Sequence, residues 1–314
     1  MTPAPHLGPI ETAALTRRIT TLSVAVAAVL VSLKLAAWLA SGSVAVLASL
    51  ADSALDLVAS LVTFGAVRYA VAPPDREHRF GHGKAEAFAS LIQAGLVFAS
   101  AALIGREAVG DFIHPQPLRQ EGWAIAVMVV STLLTGVLIA AQSRVLKRAA
   151  SVAVAGDRAH YASDLASNLV TLAGIGAVAW LGLSRFDAAA ALVVAALLLW
   201  GAVGVFRQAA DQLMDHELPQ PDRERIVELM SEDPRLTDVH QLRTRASGPY
   251  VHIQMHVDLD PELSLEAAHG VIVAAEQRVL AAFPAADILI HADPRGRAEP
   301  HGGAFAEMRE IDAK

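Results

Sequence analysis

No cysteine occurs in the 314 residues. That excludes disulfides and every thiolate metal site, so any metal held by side chains must be held by imidazole and carboxylate. Charge is also sparse, at 18% of residues, below the roughly 25% of an average soluble chain. Nor does positive charge predominate. A net charge of −7 argues against a nucleic-acid partner and can only help attract cations. No internal repeat or low-complexity tract stands out. What is present is apolar, with 54% hydrophobic residues and a mean hydropathy of +0.42, concentrated before about Asp211. After that point charge reaches the density of a soluble domain, so the chain reads as a membrane domain followed by a soluble one.

Residues 1–15 contain three prolines and no apolar signal-peptide core, so residues 1–16 are expected to form a flexible tail. A membrane domain is then expected over 17–210, a cytoplasmic domain over 211–295 and a disordered tail over 296–314. Apolar runs place six spans at about 19–40, 44–69, 85–110, 123–142, 160–183 and 187–206, each long enough for ~30 Å of hydrocarbon at 1.5 Å per residue. Trp123 suits an interface. Lys34, near the far end of the first span, reads as a lysine snorkelling outward to the headgroups. Arg68, Arg76, Arg79 and Lys84 flank one loop and Arg144, Lys147, Arg148 and Arg158 another, whereas the opposite side has Arg106, Arg119 and Arg185. This asymmetry puts both termini in the cytoplasm. Gly174, Gly176, Gly201 and Gly204 suit close helix packing or bending equally well.

The run Ser49 to Ser60, SLADSALDLVAS, carries Asp52 and Asp56 inside the second span. At a spacing of four they share one helix face. An ionisable residue at bilayer depth costs roughly 2.5 to 3.5 kcal/mol on insertion scales, and two carboxylates repel, so a polar cavity or a cation must compensate. His160 and Asp164 repeat the spacing at the start of the fifth span. Three carboxylates and an imidazole, two from each helix, make a tetrahedral shell suited to Zn(II), Cd(II) or Fe(II). In the loop APPDREHRFGHGKAEAF, Asp75, His78 and His82 are a second possible metal group, although such histidines are often simply solvated.

After Pro219 the pattern changes. RERIVELM reads as a short amphipathic helix, HQLRTRA and YVHIQMHVDL as two antiparallel strands around Ser247-Gly248-Pro249, LEAAHGVIVAAEQRVLAAF as a longer helix and ADILIHADP as a last strand. The order αββαβ implies a small sheet with helices on one face, an α+β fold. In the second strand His252, Gln254 and His256 share one face, and Val251, Ile253, Met255 and Val257 the other. His240, His256, His269, His291 and Asp293 could converge on a metal, though by spacing alone most would be ordinary surface residues.

Together these residues resemble the cation diffusion facilitator family over nearly all of Arg17 to Pro294. The resemblance is carried by Asp52 and Asp56, by FGHGKAE at Phe80 to Glu86, by His160 and Asp164, by LMD at Leu213 to Asp215 and by HQLRTR at His240 to Arg245. It is closest to the bacterial zinc and ferrous-iron efflux branch, whose transport site combines DxxxD with HxxxD. The resemblance implies six transmembrane helices and a metallochaperone-like cytoplasmic domain. It further implies a transport site of Asp52, Asp56, His160 and Asp164 midway across the membrane. A loop site would use Asp75, His78 and His82, and a cytoplasmic binuclear site His240, His256, His269, His291 and Asp293. Lys84 and Asp215 match a charge pair that helps hold the family's homodimers together. Relatives selective for zinc carry a histidine where Asp52 stands, so this site should tolerate harder cations such as Fe(II) somewhat better.

The function expected is export of Zn(II), Fe(II) or Cd(II) across a bacterial inner membrane in exchange for protons, with Zn(II) also held structurally or as a regulator in the tail. No enzymatic activity is expected. A full protein shell leaves no open metal position, and no acid or base stands apart from the ligands, which argues against an intramembrane metalloenzyme. A membrane sensor or scaffold that binds metal without moving it is the remaining alternative.

Overall fold

The computed structural model describes residues 7–42, 44–113, 122–181 and 184–296. Six long helices come first: α1 (Pro9–Ser41), α2 (Val44–Ala70), α3 (Ala85–Ile113), α4 (Gly122–Leu146), α5 (Val152–Leu181) and α6 (Ser184–Leu213). Contacts divide the chain into two units, the first ending at His216 but including Ala246–Tyr250, the second formed by Glu217–Arg245 and the chain from Val251 onward.

The first helix corrects one expectation. Residues 9–16, read from sequence as part of a flexible tail, are helical, because Pro9 supplies a helix-compatible φ at the first turn and Glu11 complements the dipole there. Thr16 and Thr20 are buried and their hydroxyls donate back to Thr12 O (2.9 Å) and Thr16 O (2.8 Å). At its other end α1 stops on Gly42, whose φ of 63° suits glycine and whose N–H reaches Trp38 O at 2.7 Å.

The helices are built inside out relative to a soluble bundle. Large apolar side chains such as Leu55, Leu103, Leu197 and Trp200 face outward, whereas Ser53, Asp56, Ser60, Thr63, Gln93, Gln142, Asp157 and His160 are buried. A hydrocarbon solvent favours that arrangement, because the buried polar groups satisfy one another while the apolar surface meets lipid. Five helices carry windows apolar enough to span a membrane among the described residues. The sixth expected span falls on α5, whose first half holds Asp157, Arg158, His160 and Asp164. Helices α3 and α6 pack extensively. Ala94, Ala101 and Ala108 on one, and Ala195, Ala202 and Ala209 on the other, are buried at heptad spacing, and such small side chains let backbones approach.

After α6 the chain continues with α7 (Gln220–Ser231), β1 (Val239–Ser247), β2 (Tyr250–Leu259), α8 (Leu265–Ala282) and β3 (Ala286–Pro294). This is the αββαβ order read from the sequence. The sheet order is β1-β2-β3, with β2 and β3 parallel and His256 paired with His291. Ser264 caps α8, accepting from Ala267 N at 3.2 Å, and Val271, Ala275 and Val279 form its buried stripe. They pack with Ile226, Leu229 and Met230 of α7 and with Ile253, Met255 and Val257 of β2 in one core. The alternation in β2 leaves its other face to His252, Gln254 and His256.

Candidate metal centres

In the membrane unit, α2 and α5 bring Asp56, His160 and Asp164 together, with ligand atoms all within 4.8 Å of one another. His160 Nε2 lies 3.0 Å from Asp56 Oδ1 and 3.9 Å from Asp164 Oδ2. These distances bracket the roughly 3.3 Å edge of a tetrahedron with metal bonds near 2.0–2.1 Å, so a small divalent ion fits with little adjustment. Asp56 and His160 are buried. Asp52 stands outside that trio but lines the same cavity as Asp56 and Asp164, one of about 170 Å³ that Ser100, Ser131, Thr135 and Asn168 also border. A volume of several waters, lined by hydroxyls and carboxylates, can receive an ion that has shed part of its hydration.

Two residues here were not read from the sequence as parts of the site. Lys34 does not snorkel: it is buried, lines the cavity, and its Nζ donates to Ser53 Oγ at 2.6 Å and Ser49 O at 3.1 Å. The reason is local: its ammonium finds Ser49 O and Ser53 Oγ on α2, beside a cavity that Asp52, Asp56 and Asp164 also line. Asp157, one turn before His160, is fully buried and accepts from Gln142 Nε2 (2.8 Å), Gln93 Nε2 (3.3 Å) and Ser60 Oγ (3.4 Å). Gln142 also donates to Ser23 Oγ (3.2 Å) and Gln93 to Thr63 Oγ1 (2.9 Å), so α1 to α5 are tied behind the ligand pair. Its one available signal was an acid three residues from His160 on the same helix.

The loop between α2 and α3 holds a second group, Asp75, His78 and His82. Asp75 Oδ1 is 3.3 Å from His78 Nδ1, and Asp75 Oδ2 is 3.3 Å from His82 Nε2. The turn fixes the carboxylate: Asp75 Oδ1 accepts from the backbone N–H of His78 (2.6 Å) and Glu77 (2.9 Å). The His78 N–H above all holds the Asp75 carboxyl below its ordinary range. Gly81, at φ 80°, permits the turn that sends buried His82 back toward Asp75. Further on, Lys84 Nζ meets Asp215 Oδ1 at 2.9 Å, both side chains being partly exposed.

In the second unit Asp293 is the hub. His256 Nδ1 lies 2.9 Å and His240 Nε2 3.4 Å from its Oδ2, and His291 Nε2 3.4 Å from its Oδ1. Register explains this. His256 pairs with His291 across β2 and β3, and Asp293 is two residues on, so all three share a face. His240 reaches the group from β1, just before Gln241, whose φ of 50° breaks the regular strand. His269, by contrast, lies exposed on α8 outside this cluster. Beside the cluster, His252 Nδ1 meets Asp287 Oδ2 at 3.1 Å, a pairing the alternation alone did not reveal.

Comparison with known proteins matches these units separately. Residues 20–214 match the cation efflux transmembrane domain, and residues 218–295 the cytoplasmic domain of cation efflux proteins. The chain is 40% identical over 270 residues to a cation-efflux pump FieF of Serratia proteamaculans, covering 86% of this chain and 90% of the relative. It is 37% identical over 281 residues to a cation-efflux pump FieF of Salmonella schwarzengrund, covering 90% and 93%.

Proposed function

The chain belongs to the cation diffusion facilitator family, a family of membrane transporters that move metal cations and not of enzymes, and from that premise we propose a proton-coupled exporter of Zn(II), Fe(II) or Cd(II). It would work in a bacterial inner membrane with both termini in the cytoplasm. The observation that carries the reading is the convergence of Asp56, His160 and Asp164 from two membrane-length helices, with Asp52 on the same cavity. Each of these groups binds either a proton or a metal, and a metal that binds deprotonated ligands releases protons. One site therefore couples two opposed flows. Facing the cytoplasm it loads metal; facing the outer side, where proton activity is higher, it exchanges metal for protons, as alternating access requires.

The tail supports the same reading. A histidine face around Asp293 is suited to Zn(II), with His256 and His240 as imidazole donors and the buried carboxylate between them. Zn(II) there would report cytoplasmic metal to the transporter. A homodimer, with Lys84 and Asp215 near the interface, fits the cytoplasmic-domain match. A sensor that transports nothing would make the intramembrane carboxylates dispensable.

The test is metal uptake into proteoliposomes bearing a pH gradient, with Zn(II), Fe(II) and Cd(II) compared. Wild type is expected to move metal against protons, and Asp56→Ala to lose at least about 99% of that flux, since removing one ligand of a buried four-ligand site leaves both affinity and charge balance deficient. Transport by Asp56→Ala at the wild-type rate would refute this site. Metal movement with no counterflow of protons would refute the coupling.

A further inference from the structure

Lys34 is a lysine of α1 held inside the membrane unit. Its ammonium is anchored on the α2 turn that bears Asp52, through Ser49 O and Ser53 Oγ. The carboxylates of Asp52, Asp56 and Asp164 stand nearby. All three line the cavity that it lines. We propose that Lys34 is a fixed counter-charge of the intramembrane metal site, setting its net charge to what a single divalent cation cancels and thereby weakening metal retention enough for release.

The charge balance carries the argument. Counted formally, with the ligands deprotonated as metal binding requires, the three carboxylates and one ammonium lining the cavity leave a net charge of −2, and one divalent ion on a neutral His160 brings this to zero. Without the ammonium the loaded site would keep a negative charge in a low-dielectric setting, where Coulomb attraction is strong. Such a site holds its ion too tightly to turn over, or draws in a second cation. Lys34 is not a ligand, since an ammonium has donors and no lone pair to give. It acts on the ion through the field and through the carboxylates, as a positioning and specificity-determining residue.

A merely structural lysine, bracing α1 on α2, predicts the opposite sign. Its loss would loosen the ligand turn and weaken metal binding. The inference rests on the transport-site reading above, so both are tested together in protein whose loop and tail ligands His82 and His256 are replaced by alanine. Zn(II) binding is titrated in the parent, Asp56→Ala, Lys34→Gln, Lys34→Met and Lys34→Arg, and Zn(II) flux is measured at saturating metal. Lys34→Gln removes the charge while keeping an amide donor, one bond shorter, on the side of Ser49 and Ser53, so it remains informative where Lys34→Met fails to fold. Expected are about tenfold tighter Zn(II) binding with slower saturated flux in Lys34→Gln, and near-parent values in Lys34→Arg. Unchanged or weaker binding in Lys34→Gln, while Asp56→Ala loses the site, overturns the counter-charge alone. Zn(II) binding in Asp56→Ala equal to the parent's overturns the site reading, and this inference with it.

Discussion

At the scale of the residue, Asp75 shows how a single backbone turn prepares a candidate ligand. Its folded value lies below the ordinary 3.8, chiefly because the His78 N–H donates to it. A carboxylate shifted that way contributes stability that is present above its unfolded pKa and is lost as pH falls through the lower folded value. Across about pH 5 to 8 it is therefore already ionised and has no proton to lose when metal binds. Asp75 therefore contributes none of the protons released if a metal binds the loop in that window. With His256 and Asp56 replaced by alanine to silence the other centres, Asp75→Asn should weaken Co(II) binding by about tenfold or more yet leave the protons released per ion unchanged. Calorimetry in two buffers of different ionisation enthalpy checks both numbers. The same scale marks what the sequence concealed. The i, i+4 pairs Asp52/Asp56 and His160/Asp164 were legible because helix periodicity alone assigns them a shared face. Lys34 and Asp157 were not, since their roles depend on what other helices place opposite them, Ser49 and Ser53 for one, Gln93 and Gln142 for the other.

At the scale of the element, the tail sheet converts strand register into chemistry. The strands and helices of αββαβ were visible in period and turn residues, and the imidazole face of β2 followed from alternation. That β3 runs parallel to β2, and so sets His291 and Asp293 beside His256, is a pairing fact that no local pattern carries. The exposed position of His269 on α8 is likewise a matter of helix docking, because the buried stripe Val271, Ala275 and Val279 turns that residue outward. Ligands drawn from all three strands mean that Zn(II) would cross-link the sheet. Free ligand at one hundred times its Kd stabilises by about 2.7 kcal/mol whatever holds it. Amide exchange in β1, β2 and β3 of the intact protein should slow accordingly with Zn(II), by up to about a hundredfold where opening exposes the site. The protection should persist in Asp56→Ala and vanish in His240→Ala/His256→Ala. Protection that survives the double substitution would place the tail metal elsewhere.

At the scale of the whole molecule, hydropathy located the membrane domain and charge density the soluble one, because bulk solvent preference is a property of composition. Assembly is not, and here the pair Lys84 and Asp215 offers a handle. Within one chain the ammonium lies 2.9 Å from Asp215 and 3.4 Å from Leu213 O, so it fastens the start of α3 to the end of α6. Asp215 adopts φ 56°, a left-handed turn that directs the chain out of α6. Both partners are more than a third exposed, so the pair contributes on the order of 1 kcal/mol or less. If the proposed homodimer draws on this junction, reversing one charge replaces attraction by repulsion in each of two subunits. Lys84→Asp should then raise the dimer dissociation constant by about fivefold to thirtyfold, the range for roughly 1 to 2 kcal/mol, and reduce zinc flux in parallel. Exchange of both charges, Lys84→Asp with Asp215→Lys, restores the attraction with its polarity inverted and should recover most of the dimer and the flux. Light scattering of the detergent-solubilised protein across a dilution series measures the first quantity and proteoliposome uptake the second. Lost flux with an intact dimer would confine the pair's role to one chain, where it would hold the loop between α2 and α3 against the end of α6.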